Sequence, residues 1–91
     1  MADLEQKRRS VRVLDLLDES FQAHQRGDSE AFRRALDAAL ECDADVVAVV
    51  QGGMIIGEIP RPEDHWPEWC AYLQANRDGL ARMEAEAGGD G

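Results

Sequence analysis

The residues best suited to chemistry lie together between Glu63 and Cys70: Glu63, Asp64, His65, Glu68 and Cys70. A divalent metal needs three or four such ligands converging on one point. His65 and Glu68 can share one side of a helix start, but a second imidazole is missing. His24 is far off in sequence, at the end of an earlier helical stretch, where a cationic ring is favourable in its own right. No spacing here matches a recognised metal motif, so His65 is read as an exposed histidine in an acidic turn and no metal site is assigned. Cys70 and His65 have the residue types of a thiol nucleophile and its base. At i, i+5 their side chains need not face each other on a helix, and no orienting group or oxyanion donor can be named. Glu63, Asp64 and Glu68 supply carboxylates for acid–base work, but acidic solvated faces are too common for this to count. Gly52-Gly53 fits neither the GxxxxGKS/T nor the GxGxxG phosphate loop. No catalytic residue and no cofactor is assigned.

Trp66 and Trp69 can lock a connector onto a helical core, or anchor a partner, because aromatic residues dominate interface hot spots. From Trp69 the positions Leu73, Asn76, Leu80 and Met83 follow at steps of 4, 3, 4 and 3 residues, which is heptad spacing. A polar residue within such a stripe can fix the register of paired helices. The candidate partner-binding residues are therefore Trp66, Trp69, Leu73, Asn76, Leu80 and Met83. The basic cluster Lys7, Arg8, Arg9 and Arg12 is read as a solvated helix face, with a local phosphate or acidic-partner contact as the alternative.

These residues must be positioned by a small, acidic chain. Ninety-one residues make one domain, which buries only about 60–65% of the surface its unfolded chain exposes. Such a thin core favours homo-oligomerisation where disulfides and metals are lacking. Cys42 and Cys70 belong to no CxxC and are read as reduced, buried thiols, with a single disulfide as the alternative. The stretch MADLEQKRRS is charged and is followed by no apolar run, so no signal peptide is expected. The apolar run 46–59 is shorter than the roughly 20 residues of a membrane span. These features point to the cytoplasm. Arg outnumbers Lys nine to one and Thr is absent, the bias of a GC-rich bacterial genome. The net charge of −9 is uneven: acids and bases balance at seven each through Arg34, and 12 acids face 3 bases from Ala35 on. That distribution disfavours nucleic acid as a partner.

The pattern predicts a helix from Asp3 to Arg26, with Leu4, Val11, Leu14, Leu17 and Phe21 on one face and Val13 and Leu16 widening it. Gly27 stops it. Asp28 caps a second helix, Ser29 to about Cys42, whose inner face is Phe32, Ala35, Leu36, Ala39 and Leu40. So short a link demands an antiparallel hairpin. Gly27-Asp28 and Ala39-Leu40-Glu41-Cys42-Asp43 resemble the G-D and A-L-E-L-D positions of a tetratricopeptide repeat. The resemblance covers one helix and a turn and implies a helical hairpin with a lean toward protein binding. Ala44 stands where that family has proline, and nothing recurs about 34 residues later, so the match is hairpin grammar rather than membership. The central run, DVVAVVQGGMIIGEI from Asp45 to Ile59, reads either as a buried helix capped by Asp45 or as a β-hairpin turning at Gly52-Gly53. The helix is favoured by helices on both sides. Pro60 to Asp64 is a stiff connector, and Pro67 suits the first turn of a last helix running to about Ala87.

The expected fold is all-α, with about four helices: a helical hairpin, a buried central apolar helix and a C-terminal helix. The alternative is α+β with a hairpin at 46–59. Residues 1–87 form the domain and 88–91 a disordered tail. The expected function is a non-enzymatic interaction or regulatory module, a homodimer joined through the central segment and the Trp69–Met83 stripe, that binds another protein through an apolar patch rimmed by acids. The rivals are an acidic immunity-, antitoxin- or inhibitor-type protein neutralising a basic partner, and a small metal- or thiol-dependent enzyme.

Overall fold

The computed structural model describes residues 2–88, and these form three helices with no strand among them: α1 (Ala2–Gln25), α2 (Ser29–Ile55) and α3 (Trp66–Gly88). The hairpin alternative at 46–59 is thereby overturned. Val47 and Val50 are buried against α1 and α3 in one cluster with Leu14, Leu17, Trp69 and Leu73. That packing outweighs the β preference of branched residues, which an isolated two-stranded ribbon could not have exploited.

α1 is the central element. Val13, Leu14, Leu17 and Ser20 are all at most 3% exposed, and Val11 and Ala23 are buried with them. Its apolar stripe is wide because α2 packs on one side and α3 on the other. The Ser20 hydroxyl meets its hydrogen-bonding need locally by donating to the Leu17 carbonyl at 2.6 Å. α1 ends at Gly27, whose φ of +77° suits a residue without Cβ. The Asp28 amide donates to Ala23 O at 2.9 Å and the Gly27 amide to His24 O at 3.0 Å, the paired bonds of a Schellman stop. Asp28 then caps α2 as expected, its Oδ1 accepting from the Ala31 amide at 3.0 Å.

The count of about four helices becomes three because the second and third segments run together as α2. One residue interrupts it: Asp43, at φ −164° and ψ 97°. Its Oδ1 accepts from the amides of Asp45 (3.1 Å) and Val46 (3.2 Å), so the cap is Asp43 rather than Asp45. The extended backbone is the ordinary N-cap conformation. The chain reverses there without spending a linker. Before the break, the chain starts from the short Gly27-Asp28 link at the end of α1 and reaches Asp43 beside Arg9 near its start, so this half runs antiparallel to α1. After it, Val46 shares a groove with Ser10 and Leu14, and Met54 shares one with Phe21, so the second half returns parallel to α1.

The expectation of a buried central helix is half corrected. Val47, Val50 and Gly53 are buried, but Val49, Ile55 and Ile56 are 70%, 73% and 68% exposed. A Cβ on Gly53 would lie 2.5 Å from Ile59 Cδ1, so glycine is what allows the connector to fold back over the helix. α2 ends in a second Schellman stop at Gly57, φ +82°, with the Glu58 amide donating to Gly53 O at 2.8 Å. α3 then runs antiparallel to α1, with Pro67 in its first turn. Gly88 is its last residue, so of the expected disordered tail only 89–91 is left, and that lies outside the described residues.

Candidate functional site

The residues with chemical potential do not converge. Among the described residues no group of three or more His, Cys, Asp or Glu side chains could hold a metal ion. Glu63, Asp64, His65 and Glu68 are exposed around the start of α3. His24 is remote, its ring tilted against Phe32 at 5.5 Å. Both thiols are free, Cys42 half-buried and Cys70 exposed. The expectation that both are buried fails at Cys70, which stands about 100° around α3 from the buried Trp69. Among the described residues no helix is long and apolar enough to cross a membrane.

The basic cluster on α1 is largely consumed within the chain. Lys7 Nζ donates to Asn76 Oδ1 at 3.0 Å, Arg8 pairs with Glu84 at 3.0 Å, and Arg9 lies 3.6 Å from Asp43. Farther along, Arg77 pairs with Asp15. These contacts clamp α3 and the α2 break onto α1, so the cluster sets register between helices.

The candidate partner stripe divides. Trp69 and Leu73 are buried, at 0% and 4% exposure, and this corrects their assignment to a partner surface. The Trp69 ring meets Phe21 edge-on at 5.6 Å and stacks on Tyr72 at 6.0 Å. Its Nε1–H donates to Asp18 Oδ1 at 2.9 Å. Trp66, Asn76, Leu80 and Met83 are half-buried. Asn76 Nδ2 donates to Tyr72 O at 2.9 Å, while its Oδ1 takes the Lys7 bond. The heptad stripe therefore packs α3 onto α1 of the same chain, and Asn76 fixes that pairing.

What stands open is the outer face of the second half of α2. Among the described residues the large hydrophobic side chains left exposed, Leu40, Val49, Ile55 and Ile56, all fall between residues 40 and 56. At helical spacing Asp45, Ala48, Val49, Gly52, Ile55 and Ile56 share the side opposite the buried Val47 and Val50. A Cβ on Gly52 would meet nothing within 4 Å. The face continues into a groove of about 570 Å³ over α1, where Val49 and Val46 look across to Tyr72. The sequence reading placed a contact in the central segment but did not single out these residues. The available signal was that the segment is apolar at every angle around its axis, more than one neighbouring face can cover.

The surroundings are acidic. Between Glu41 and Glu68 the chain has seven carboxylates and one base, Arg61. Asp43 is taken by Arg9 and the cap, and Arg61 Nε donates to Met54 O at 3.4 Å. Asp45 and Val49 line one groove with Lys7 and Arg9, and Ile55 lines hollows with Glu63 or Asp64 and Arg61. No protein-family model matches the chain, and neither a curated protein nor a solved structure shows significant similarity to it.

Proposed function

We propose that this chain is a non-enzymatic protein-interaction module that docks through the outer face of the second half of α2. One observation carries the reading: of the four exposed large hydrophobics among the described residues, the three most exposed, Val49, Ile55 and Ile56, share one side of the end of α2 and its cap. Exposed apolar residues scattered singly need no explanation, whereas a contiguous apolar patch rimmed by polar groups marks an interaction site. A second copy, which the thin core leads one to expect, and a different protein compete for this face, and the charge around it decides between them. The free thiols Cys42 and Cys70 accord with work in a reducing cytoplasm. A photo-crosslinking side chain placed at position 49 or 56 in the native cell tests this. A single dominant adduct from both positions, and none from the exposed position 33, is expected. Absence of adducts, or equal adducts from all three, refutes it.

A second reading is favoured by the excess of seven carboxylates over one base between Glu41 and Glu68: an acidic immunity-, antitoxin- or inhibitor-type protein that neutralises a basic partner. Binding led by charge weakens steeply with salt, and binding led by apolar contact does not.

A further inference from the structure

Gly52 is the residue that the fold leaves unexplained. In a helix interior it costs about 1 kcal/mol relative to alanine. Its neighbour Gly53 has a reason inside the chain, the approach of Ile59, but nothing lies within 4 Å of a Cβ built on Gly52. With Ala48 one turn earlier, it forms a shallow channel between Ile55 on one side and Val49 and Ile56 on the other. Small residues flanked by larger apolar ones let a second helix seat its ridge in the groove and bring the backbones close. The shape fits a helix.

Charge identifies which helix. A second copy crossing at Gly52 meets its own sign in either orientation. A parallel crossing sets Asp45 against Asp45. An antiparallel crossing brings Asp45, two turns before Gly52, toward the acidic connector beyond the end of α2, which carries Glu58, Glu63 and Asp64. Like charges set opposite each other across an interface cost several kcal/mol. Three bases stand near, Lys7 and Arg9 in the groove with Asp45 and Arg61 with Glu63 and Asp64, but Arg9 is paired with Asp43, Lys7 is held at Asn76, and Arg61 alone does not offset Glu58, Glu63 and Asp64. A helix with lysines or arginines flanking its apolar stripe meets Asp45 at one end of the channel and Glu58, Glu63 and Asp64 at the other. Resting on the docking face proposed above, we infer that its occupant is a basic amphipathic helix of a different protein, seated along Ala48–Gly52 with its cationic flanks on these carboxylates.

The probe is a fluorescent amphipathic Leu/Lys peptide of about 20 residues, long enough to form a helix, with a Leu/Glu twin as control. Both are titrated against the wild-type chain, Gly52→Leu and the double variant Asp45→Asn/Glu63→Gln. Gly52 is half-buried with open space over its Cβ, so leucine there fills the channel without disturbing the core, and circular dichroism confirms the fold of each variant. The Leu/Lys peptide should bind one to one and about tenfold or more tighter than its twin, with loss of about tenfold in Gly52→Leu, a factor that corresponds to 1.4 kcal/mol. The double variant should bind it several-fold more weakly. Failure of the Leu/Lys peptide to bind, or equal binding to wild type and Gly52→Leu, overturns the inference. If both peptides bind alike and both are lost in Gly52→Leu, the docking face stands and the basic partner falls. A dimer in light scattering that Gly52→Leu dissociates has the same consequence, with a second copy as the occupant.

Discussion

Replacing the two adjacent glycines of α2 by alanine, one at a time, should move stability in opposite directions. Each substitution recovers about 0.8–1 kcal/mol of helix propensity. At Gly52 nothing opposes that gain, because the new methyl group has open space around it. At Gly53 the methyl carbon would lie 2.5 Å from Ile59 Cδ1, 2.7 Å from Cγ1 and 3.4 Å from Cβ, against the 3.5–4.0 Å of ordinary carbon contacts. Ile59 is packed against the core cluster and its amide is tied to Gly53 O at 3.0 Å, so relief requires swinging its side chain out of that packing. Forcing a carbon into packed space costs about 1–3 kcal/mol, and contacts of 2.5 and 2.7 Å put this one at the upper end, about 2–3. The net is a gain of about 1 kcal/mol for Gly52→Ala and a loss of about 1–2 for Gly53→Ala, a gap of about 2–3 kcal/mol between neighbours. In a domain of this size 1 kcal/mol moves the melting temperature by about 4–8 °C.

Urea unfolding followed by far-ultraviolet circular dichroism measures both free energies, and an unchanged m-value verifies that the same transition is compared. A cycle isolates the cause: in an Ile59→Ala background the penalty at Gly53 should vanish and the propensity gain emerge, a coupling of about 2 kcal/mol. The reasoning fails if the two alanines shift stability with the same sign and size, or if truncating Ile59 leaves the Gly53→Ala cost intact.

Two further substitutions probe the joints of the fold. Asp43→Ala removes the cap at the α2 reversal together with the Arg9 contact and should cost about 1–2 kcal/mol, whereas Asp43→Asn keeps the cap acceptor and should cost less than about 1; equal losses would mean that the cap is not what holds the reversal. Asp18→Ala strands the Nε1–H of the fully buried Trp69 and should cost about 1–3 kcal/mol in thermal or urea unfolding, with Asp18→Asn nearer neutral. A smaller loss for alanine than for asparagine would contradict the assigned bond.

Helix existence was legible where periodicity and punctuation agree. Asp3–Arg26 was expected and Ala2–Gln25 found, because Gly27 and Asp28 terminate one helix and start the next by local chemistry alone. The break in α2 was harder. Asp43 and Asp45 are equally good caps, and the choice depends on where α1 presents Arg9, which is tertiary information. The α3 stripe was legible as a stripe, but heptad spacing looks the same whether the facing helix belongs to another chain or to this one. Trp69 and Leu73 therefore passed as partner residues, although α1 covers them. In the central segment the difficulty is of another kind. A run that is apolar at all angles carries no amphipathic signal to say which side meets the core, so Val47 and Val50 could not be told from Val49, Ile55 and Ile56. The candidate face is what remains once α1 and α3 have taken their side.

Such a face invites aggregation, and the placement of charge is what opposes it. Two copies approaching through Val49, Ile55 and Ile56 bring together more carboxylates (Asp43, Asp45, Glu58, Glu63 and Asp64) than the nearby Lys7, Arg9 and Arg61 offset, and each chain carries −9 in total. This guard is electrostatic and therefore conditional. Screening shortens from about 10 Å at 0.1 M ionic strength to about 3 Å at 1 M, while apolar contact persists. Light scattering should therefore find a monomer at low salt that starts to self-associate as salt rises, and Ile56→Asp, which adds charge to the face and removes its apolar ridge, should suppress that association. A dimer at low salt that salt dissociates would mean that ion pairs hold the copies together, contrary to the charge placement argued above. A dimer indifferent to salt would mean that the face is closed by a second copy whose carboxylates lie clear of each other, and the case for a basic partner would fall with it.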